Sequence, residues 1–493
     1  MKKYVIAIDQ GTTGTTSLLM DANSFEFVNK VNKEFTQIYP SPGHVEHNLN
    51  EIWKTVQETI TQLLDSSNVQ PEQIISIGIT NQRETTCAYT KNGVPLANAI
   101  VWQDRRTSQY CDERREKYQT LQSKTGLPLD PYFSGTKMNW LLTHNPEVKE
   151  SIKNNNLLLS TIDTFLLYKL TDGSSFKTEP SNASRTLLMD LDTCQWDKEL
   201  LSFFEIPEDS LPTISDSFSS FGQTKGLGFL PDGIEINCIL GDQQAALFGQ
   251  AGYQAGDMKC TYGTGAFILL NTGTEKKYSK NGLLTTVAYK KDGKASYALE
   301  GSSYIAGAAV QWLRDNLNFF ESSPEVEALA NQIKSLDEMR FIQFFPFFTG
   351  IGSPYWNADA KGAILGLTRD TGKPQIARAA LEGIALSIND SISAMAMDAG
   401  QEIQEIKVDG GACLNNLLMQ MQANFSHSKI IRPKVIETTA YGVALGSMVG
   451  LGEITLDQLD KHWQEDNVFS PTNEDYYQIK RSSWSSTISK LFS

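Results

Sequence analysis

Apolar residues in this chain follow two rhythms. Short β-branched runs such as Tyr4–Ile8, Ile74–Ile79 and Ile236–Leu240 end in polar or glycine-containing groups, the pattern of buried strands. Elsewhere apolar side chains recur at helical spacing. Glu51–Leu64 carries Ile52, Val56, Ile60 and Leu63 on one face, which predicts an amphipathic helix. Tyr4–Ile8, the Gln10–Thr13 turn and Ser17–Met20, ending at Asp21, predict a hairpin that opens a sheet. Met258–Thr261, the Tyr262-Gly263-Thr264-Gly265 turn and Ala266–Leu270 repeat that strand–turn–strand form, although the residue likeness is slight. Helices at Gln375–Ser393 and Asn415–Phe425 flank a strand at Ile403–Val408. Glu474–Phe492 places Tyr477, Trp484, Ile488 and Leu491 at helical spacing and predicts a docking helix. Strands and helices alternate throughout, so the fold class is α/β.

Length divides this pattern. A single core stops growing at roughly 250–300 residues, and the chain has 493. Two domains are expected, 1–250 and 251–493, with a hinge between Gln244 and Met258, where Gly249, Gly252 and Gly256 cluster. Charge removes whole classes of function. The chain has 43 Lys+Arg against 57 Asp+Glu, a formal net charge of −14. That balance argues against nucleic-acid binding, which needs a basic stripe, and against anionic membrane surfaces. No stretch approaches the ~18 apolar residues of a membrane span; Leu157–Leu170 is interrupted by Ser160, Asp163 and Lys169. The start reaches Asp9 too soon for a secretory signal, so a cytoplasmic protein is expected. The six cysteines are scattered without a C-x-x-C pair, which fits reduced thiols. His44 and His47, with Glu46 between them, lack the i, i+4 spacing of a zinc helix.

Two common nucleotide motifs are missing. No G-x-G-x-x-G follows a strand, and Gly293-Lys294-Ala295 and Gly372-Lys373-Pro374 do not complete a phosphate loop. Asp9-Gln10-Gly11-Thr12-Thr13-Gly14-Thr15-Thr16 offers another solution. Glycines permit close ligand approach, turn N–H groups can form an anion nest, and a strand-end carboxylate can hold Mg²⁺ through water. A plain hairpin turn is the alternative. Tyr262–Gly265 suits a second phosphate turn. Val408-Asp409-Gly410-Gly411 leads into a helix capped near Asn415, where a flat adenine ring could lie on bare backbone; an ordinary strand-to-helix connection is the alternative.

Other residues suit a small polyol. Arg83-Glu84 follows a strand and supplies fixed donors beside acceptors for neighbouring hydroxyls; a surface ion pair is the alternative. Trp102 could cover the C–H side of a polyol, or be an ordinary core tryptophan. Asp242 stands where α/β sheets place their ligands and could accept a hydroxyl proton, or simply cap the Ala245–Phe248 helix.

Taken together, these segments resemble the FGGY carbohydrate kinases, of the actin-like ATPase fold. The likeness is carried by Gly78–Thr86, Asn98–Gln103, Asp130–Lys137, Gly241–Gln250, Thr261–Gly265, Ala306-Gly307 with Gln311–Asp315, and Phe348–Gly350 with Ser353–Trp356. The resemblance implies two actin-like (ribonuclease H-like) domains flanking a central catalytic cleft. It implies ATP-dependent phosphorylation of glycerol to sn-glycerol 3-phosphate, the first step of glycerol catabolism, with another small polyol or ketose as the alternative acceptor. By this resemblance Arg83, Glu84, Tyr132, Asp242 and Gln243 bind glycerol hydroxyls, Trp102 and Phe267 cover its carbon face, and Asp242 is the catalytic base. Thr12, Thr13, Gly14, Thr264, Gly307, Gln311, Gly411 and Asn415 contact ATP, and Asp9 serves Mg²⁺. A homodimer or homotetramer is implied. Thr16 stands where the family often has an Arg that faces nucleotide phosphates. Gly222–Gly233 lacks the glycine/arginine pattern for fructose 1,6-bisphosphate inhibition and the His that a phosphocarrier modifies in some relatives, so neither control is expected. A non-catalytic actin-like ATPase module is the reading from another class.

Overall fold

The computed structural model describes residues 2–472 and 475–492. Glu474, where the last predicted helix was placed to begin, lies outside them. The chain forms two compact units. One comprises Met1–Tyr253, Thr285–Tyr297 and Thr438–His462; the other comprises Gln254–Leu284, Ala298–Glu437 and Trp463–Ser493. The expected halves were continuous, whereas these units interleave.

The first unit is built on β1 (Tyr4–Gln10), β2 (Gly14–Asp21), β3 (Phe27–Glu34), β4 (Ile74–Asn81), β5 (Gly222–Gln223) and β6 (Glu235–Gly241), in the order β5-β6-β4-β1-β2-β3. β1 and β2 are antiparallel, with Asp9 opposite Thr16, and β4 lies parallel to β1. β6 is parallel to β4. Helix α1 (Leu49–Ser67) is capped by Asn48, whose side chain accepts from the Asn50 and Glu51 N–H groups. It buries Ile52, Val56, Ile60 and Leu63 with Ile6, Ile8 and Ile77 in one core. Helix α2 (Asp242–Gly249) follows β6 directly.

The second unit carries the body of a seven-stranded sheet. Its strands are β7 (Met258–Tyr262), β8 (Ala266–Gly273), β9 (Leu284–Lys291), β10 (Lys294–Ser303), β11 (Glu405–Asp409), β12 (Lys429–Pro433) and β13 (Glu465–Phe469), ordered β9-β10-β8-β7-β11-β12-β13. β7 is antiparallel to β8 and parallel to β11, and β11 is parallel to β12. The internal repeat is therefore topological: β1, β2, β4 and β6 correspond to β7, β8, β11 and β12. Helices α3 (Gly307–Asp315), α4 (Glu325–Ala330), α5 (Lys373–Ala399) and α6 (Asn416–Ser426) complete this layer around a second core.

Helix α7 (Thr438–Gly450) explains the interleaving. Gly442, Gly446 and Gly450 recur every fourth residue, so they share one face. A Cβ on Gly442 would come within 2.1 Å of the Ala245 carbonyl, and one on Gly450 within 2.1 Å of the Asn237 carbonyl. Bare backbone on that face lets α7 lie on α2 and β6, inside the first unit. Gly249 meets the Thr438 carbonyl in the same way. It serves close packing within the first unit. The last helix, α8 (Asp475–Leu491), buries Tyr477, Trp484 and Ile488, while Leu491 is exposed.

Candidate active site

Strand ends in the first unit bring a set of charges together. Arg83 and Glu84 follow β4 and are each only 2% exposed, so they are not a surface ion pair. Each has a partner distant in sequence. The Arg83 Nε atom lies 3.1 Å from Asp242 Oδ1, and its NH1 donates to Gln244 Oε1 at 3.2 Å. Glu84 Oε1 accepts from Arg185 Nε at 2.6 Å. Arg185 is fully buried, with its guanidinium 5.2 Å from the Phe133 ring centroid and 5.5 Å from that of Tyr132. Glu84 has a left-handed backbone (φ 61°), which costs a non-glycine residue of order 1–3 kcal/mol. Its carbonyl is pinned by the Ser134 hydroxyl at 2.9 Å. Strain held in place this way aims a side chain that relaxed backbone would not.

Asp242 opens α2, and Gly241 is the cap. Asp242 is therefore not the N-cap residue that sequence left as an alternative. Its Oδ1 accepts from the Gln243 N–H at 2.7 Å, and its side chain keeps 29% exposure, so a ligand can reach it. Gln243 itself is buried. Trp102 is half-buried, not core. Its indole N–H donates to Thr12 Oγ1 at 3.0 Å, and its ring meets Tyr132 edge-on at 5.5 Å. The Tyr132 loop is held by Lys137, whose Nζ donates to the Pro131 and Tyr132 carbonyls at 2.6 Å. Burial pushes the Lys137 amine down to about 7, against the pull of Glu84, Asp104 and Asp130. Buried donors and acceptors beside an aromatic wall suit a small molecule with several hydroxyls. Phe267 belongs to the second unit, on β8 opposite Thr261.

Gln82 joins this set to the first Gly/Thr turn. Its N–H donates to the Gln10 carbonyl at 2.8 Å and its amide to the Gly11 carbonyl at 3.1 Å. The turn closes with Gly11 N–H on the Gly14 carbonyl at 2.9 Å, and the second turn closes with Gly263 N–H on Gly265 at 2.9 Å. The leading N–H of each turn is thus spent on the turn and not offered to phosphate. Thr13 is exposed at the tip, and Asp9 is half-buried at the end of β1. Gly14 lies against β3, where a Cβ would meet the Lys33 carbonyl at 2.9 Å. Thr16 Oγ1 accepts from Asn32 Nδ2 at 2.9 Å, across to β3.

The second unit holds a cavity of about 470 Å³. Val310, Leu381 and Leu418 supply apolar wall, while Thr264, Gly307, Gln311, Gly411 and Asn415 stand among its other lining residues. All five had been singled out in the sequence. Gly307 N–H donates to the Gly263 carbonyl at 3.0 Å, which ties α3 to the second turn. Gly410 has φ 82° and sits on the Tyr262 backbone, whereas a Cβ on Gly411 would meet no atom within 4 Å. Asn415 caps α6, accepting from Leu418 N–H at 2.8 Å.

Matches to family models cover both units. The N-terminal domain of the FGGY family of carbohydrate kinases matches residues 4–249, and its C-terminal domain matches 258–451. The chain belongs to the FGGY family of carbohydrate kinases. A glycerol kinase of Desulforamulus reducens is 50% identical over 473 residues, which cover 95% of this chain and 93% of that protein. A glycerol kinase of Streptococcus uberis is 44% identical over 494 residues, 100% of this chain and 96% of its own. Among solved structures, Plasmodium falciparum glycerol kinase with ADP superposes with a TM-score of 0.91 at 34% identity, covering 100% of this chain and 99% of that one. The fold is that of the FGGY kinases, the actin-like ATPase fold. ATP is the phosphoryl donor of these kinases.

Sequence reasoning missed Arg185 as the partner of Glu84 and Gln244 as the partner of Arg83. Arg185 lies 101 positions from Glu84 and follows no motif. Lys137 fell within a segment noted for family likeness, but nothing in that segment distinguished its buried amine from a solvated one.

Proposed function

We propose that this kinase phosphorylates glycerol, giving sn-glycerol 3-phosphate and ADP. The charge array of Arg83 and Glu84, both buried, with the accessible Asp242 carries the reading, and the glycerol kinases of matching length support it. Arg83 and Glu84 grip hydroxyls as donor and acceptor, joined by Tyr132 and Gln243. The C–H side of the three-carbon chain lies on Trp102. The terminal hydroxyl attacks the γ-phosphoryl group in line. Its oxygen forms the new P–O bond, the bond to the β-phosphate oxygen breaks, and Asp242 takes the hydroxyl proton. Arg83 holds the Asp242 carboxylate in place for that transfer. Such catalysis rests on positioning and electrostatics.

ATP occupies the cavity of the second unit, with its base by Gly411 and Asn415 and its phosphates toward Thr264. Among the described residues no three His, Cys, Asp or Glu side chains cluster as a metal cage. A strand-end carboxylate alone suits an ion that keeps its waters and takes most ligands from phosphate. Asp9 would hold Mg²⁺ in that way, and the ion supplies charge neutralisation on the phosphates. The protein works in a reducing compartment, the cytoplasm. Its six cysteines are free and buried, and among the described residues no helix is long and apolar enough to cross a membrane.

ADP release measured over glycerol, dihydroxyacetone, glyceraldehyde, ribulose and xylulose tests the acceptor. Glycerol should lead the pentuloses in kcat/KM by roughly a hundredfold. A pentulose in first place would replace this reading with the ketose alternative.

A further inference from the structure

The cavity of the second unit has a carboxylate in its wall. Glu327, on α4, is half-buried and lines the cavity beside Asn415 and Leu418. Its Oε2 accepts from the Asn416 N–H at 3.1 Å, which fixes the side chain against the start of α6. A carboxylate has about four acceptor positions and no donor when ionised. One position is committed to Asn416, and the others remain to receive a donor. Asn415, its neighbour, is differently placed. Its Oδ1 is committed to the Leu418 N–H, so the group it turns to a ligand is its NH₂. The wall therefore offers an acceptor at Glu327 and a donor at Asn415.

We propose that Glu327 is a specificity-determining residue that reads the 6-position of the purine base. Its carboxylate accepts a hydrogen bond from a 6-amino group and repels a 6-oxo group, while Asn415 donates to a ring nitrogen. This rests on the nucleotide reading of the cavity. It assigns adenine selection to a side chain on α4, which carries none of the sequence motifs. No net change in the reaction is involved, since the base takes no part in the chemistry.

The test compares ATP with ITP, which differs in carrying a 6-oxo group and a protonated N1. In the wild type, kcat/KM should favour ATP by tenfold to a hundredfold, the range of one hydrogen bond to a charged group. In Glu327→Gln the amide oxygen keeps the Asn416 N–H and the amide nitrogen donates to the 6-oxo group. The ATP preference should shrink at least fivefold, through a lower KM for ITP and a higher KM for ATP, with kcat unchanged. Glu327→Ala should lose the preference without gaining ITP affinity. If both variants change the two nucleotides by one common factor, or by none, Glu327 only supports α6 and the proposal is overturned. Calorimetric titration of ATP into Gly411→Val separates the two failures. Weaker ATP binding there, with an unchanged ATP/ITP ratio in Glu327→Gln, sinks the Glu327 assignment alone. Unchanged ATP binding in Gly411→Val sinks the nucleotide reading of the cavity itself.

Discussion

The two units use one frame and end it differently. In each, an antiparallel hairpin closed by a Gly/Thr turn stands beside a parallel strand, β4 in the first and β11 in the second. The turns even share their closing bond, N–H to carbonyl at 2.9 Å. Past β4 the chain delivers Gln82, Arg83 and Glu84, paired with Asp242 and with the buried Arg185. Past β11 it delivers Gly410 and Gly411, and the space beyond stays open. A repeated topology thus brings the strand ends to corresponding places, and on the proposed function the few residues after the strand decide which kind of ligand is met there. Charge that must be held rigid suits a small polyol. Bare backbone and an apolar wall suit a flat base.

That contrast can be broken in order of effect. Asp242→Asn should lower kcat by about 10²–10⁴-fold, the usual worth of general-base help, with the KM for ATP and the circular dichroism spectrum unchanged. Turnover near normal would remove Asp242 from the chemistry. Arg185→Met should cost about 3–5 kcal/mol of stability in denaturant titration, because it leaves the Glu84 carboxylate buried without its partner. A loss below about 1 kcal/mol, the worth of an exposed pair, would mean that water reaches Glu84. On the other side, Gly411→Val adds a side chain whose Cβ meets no protein atom within 4 Å. It should raise the KM for ATP about tenfold, as overpacking against a ligand does, and leave Tm unchanged. A falling Tm would make Gly411 a structural glycine like Gly410.

The smallest effect is a pH dependence confined to the charged side. Lys137 is held at about 7 when folded and returns to the ordinary lysine value of about 10.4 when unfolded. Between these values the unfolded chain binds the extra proton, so stability rises with pH. Relative to Lys137→Met, the wild type should gain about 1 kcal/mol per pH unit from pH 7.5 to 9 in denaturant titrations. Parallel curves for the two proteins would place the Lys137 proton outside this balance.

Much of the frame was legible before any coordinates. β1, β4 and β6 announce themselves as apolar runs that stop at glycine or polar groups, β7 by the Gly/Thr turn that follows it, and α1 by its spacing. The cofactor and acceptor motifs sit at strand ends, where local pattern is strong. What sequence hid was long-range pairing. Nothing local marks Arg185 as the partner of Glu84, or α7 as part of the first unit. The glycines at 442, 446 and 450 were in view, but their meaning depends on which carbonyls approach them. The Arg83-Glu84 pair shows the same limit: adjacent in sequence, the two residues turn to different partners.

The most direct test of this division is calorimetric titration of glycerol and ATP, separately, into Glu84→Gln and wild type. The account predicts that glycerol binding weakens at least tenfold, since a hydrogen bond to a charged group is worth about 1.5–3 kcal/mol, while ATP binding stays within twofold. Equal weakening of both ligands, or unchanged glycerol binding, would contradict it.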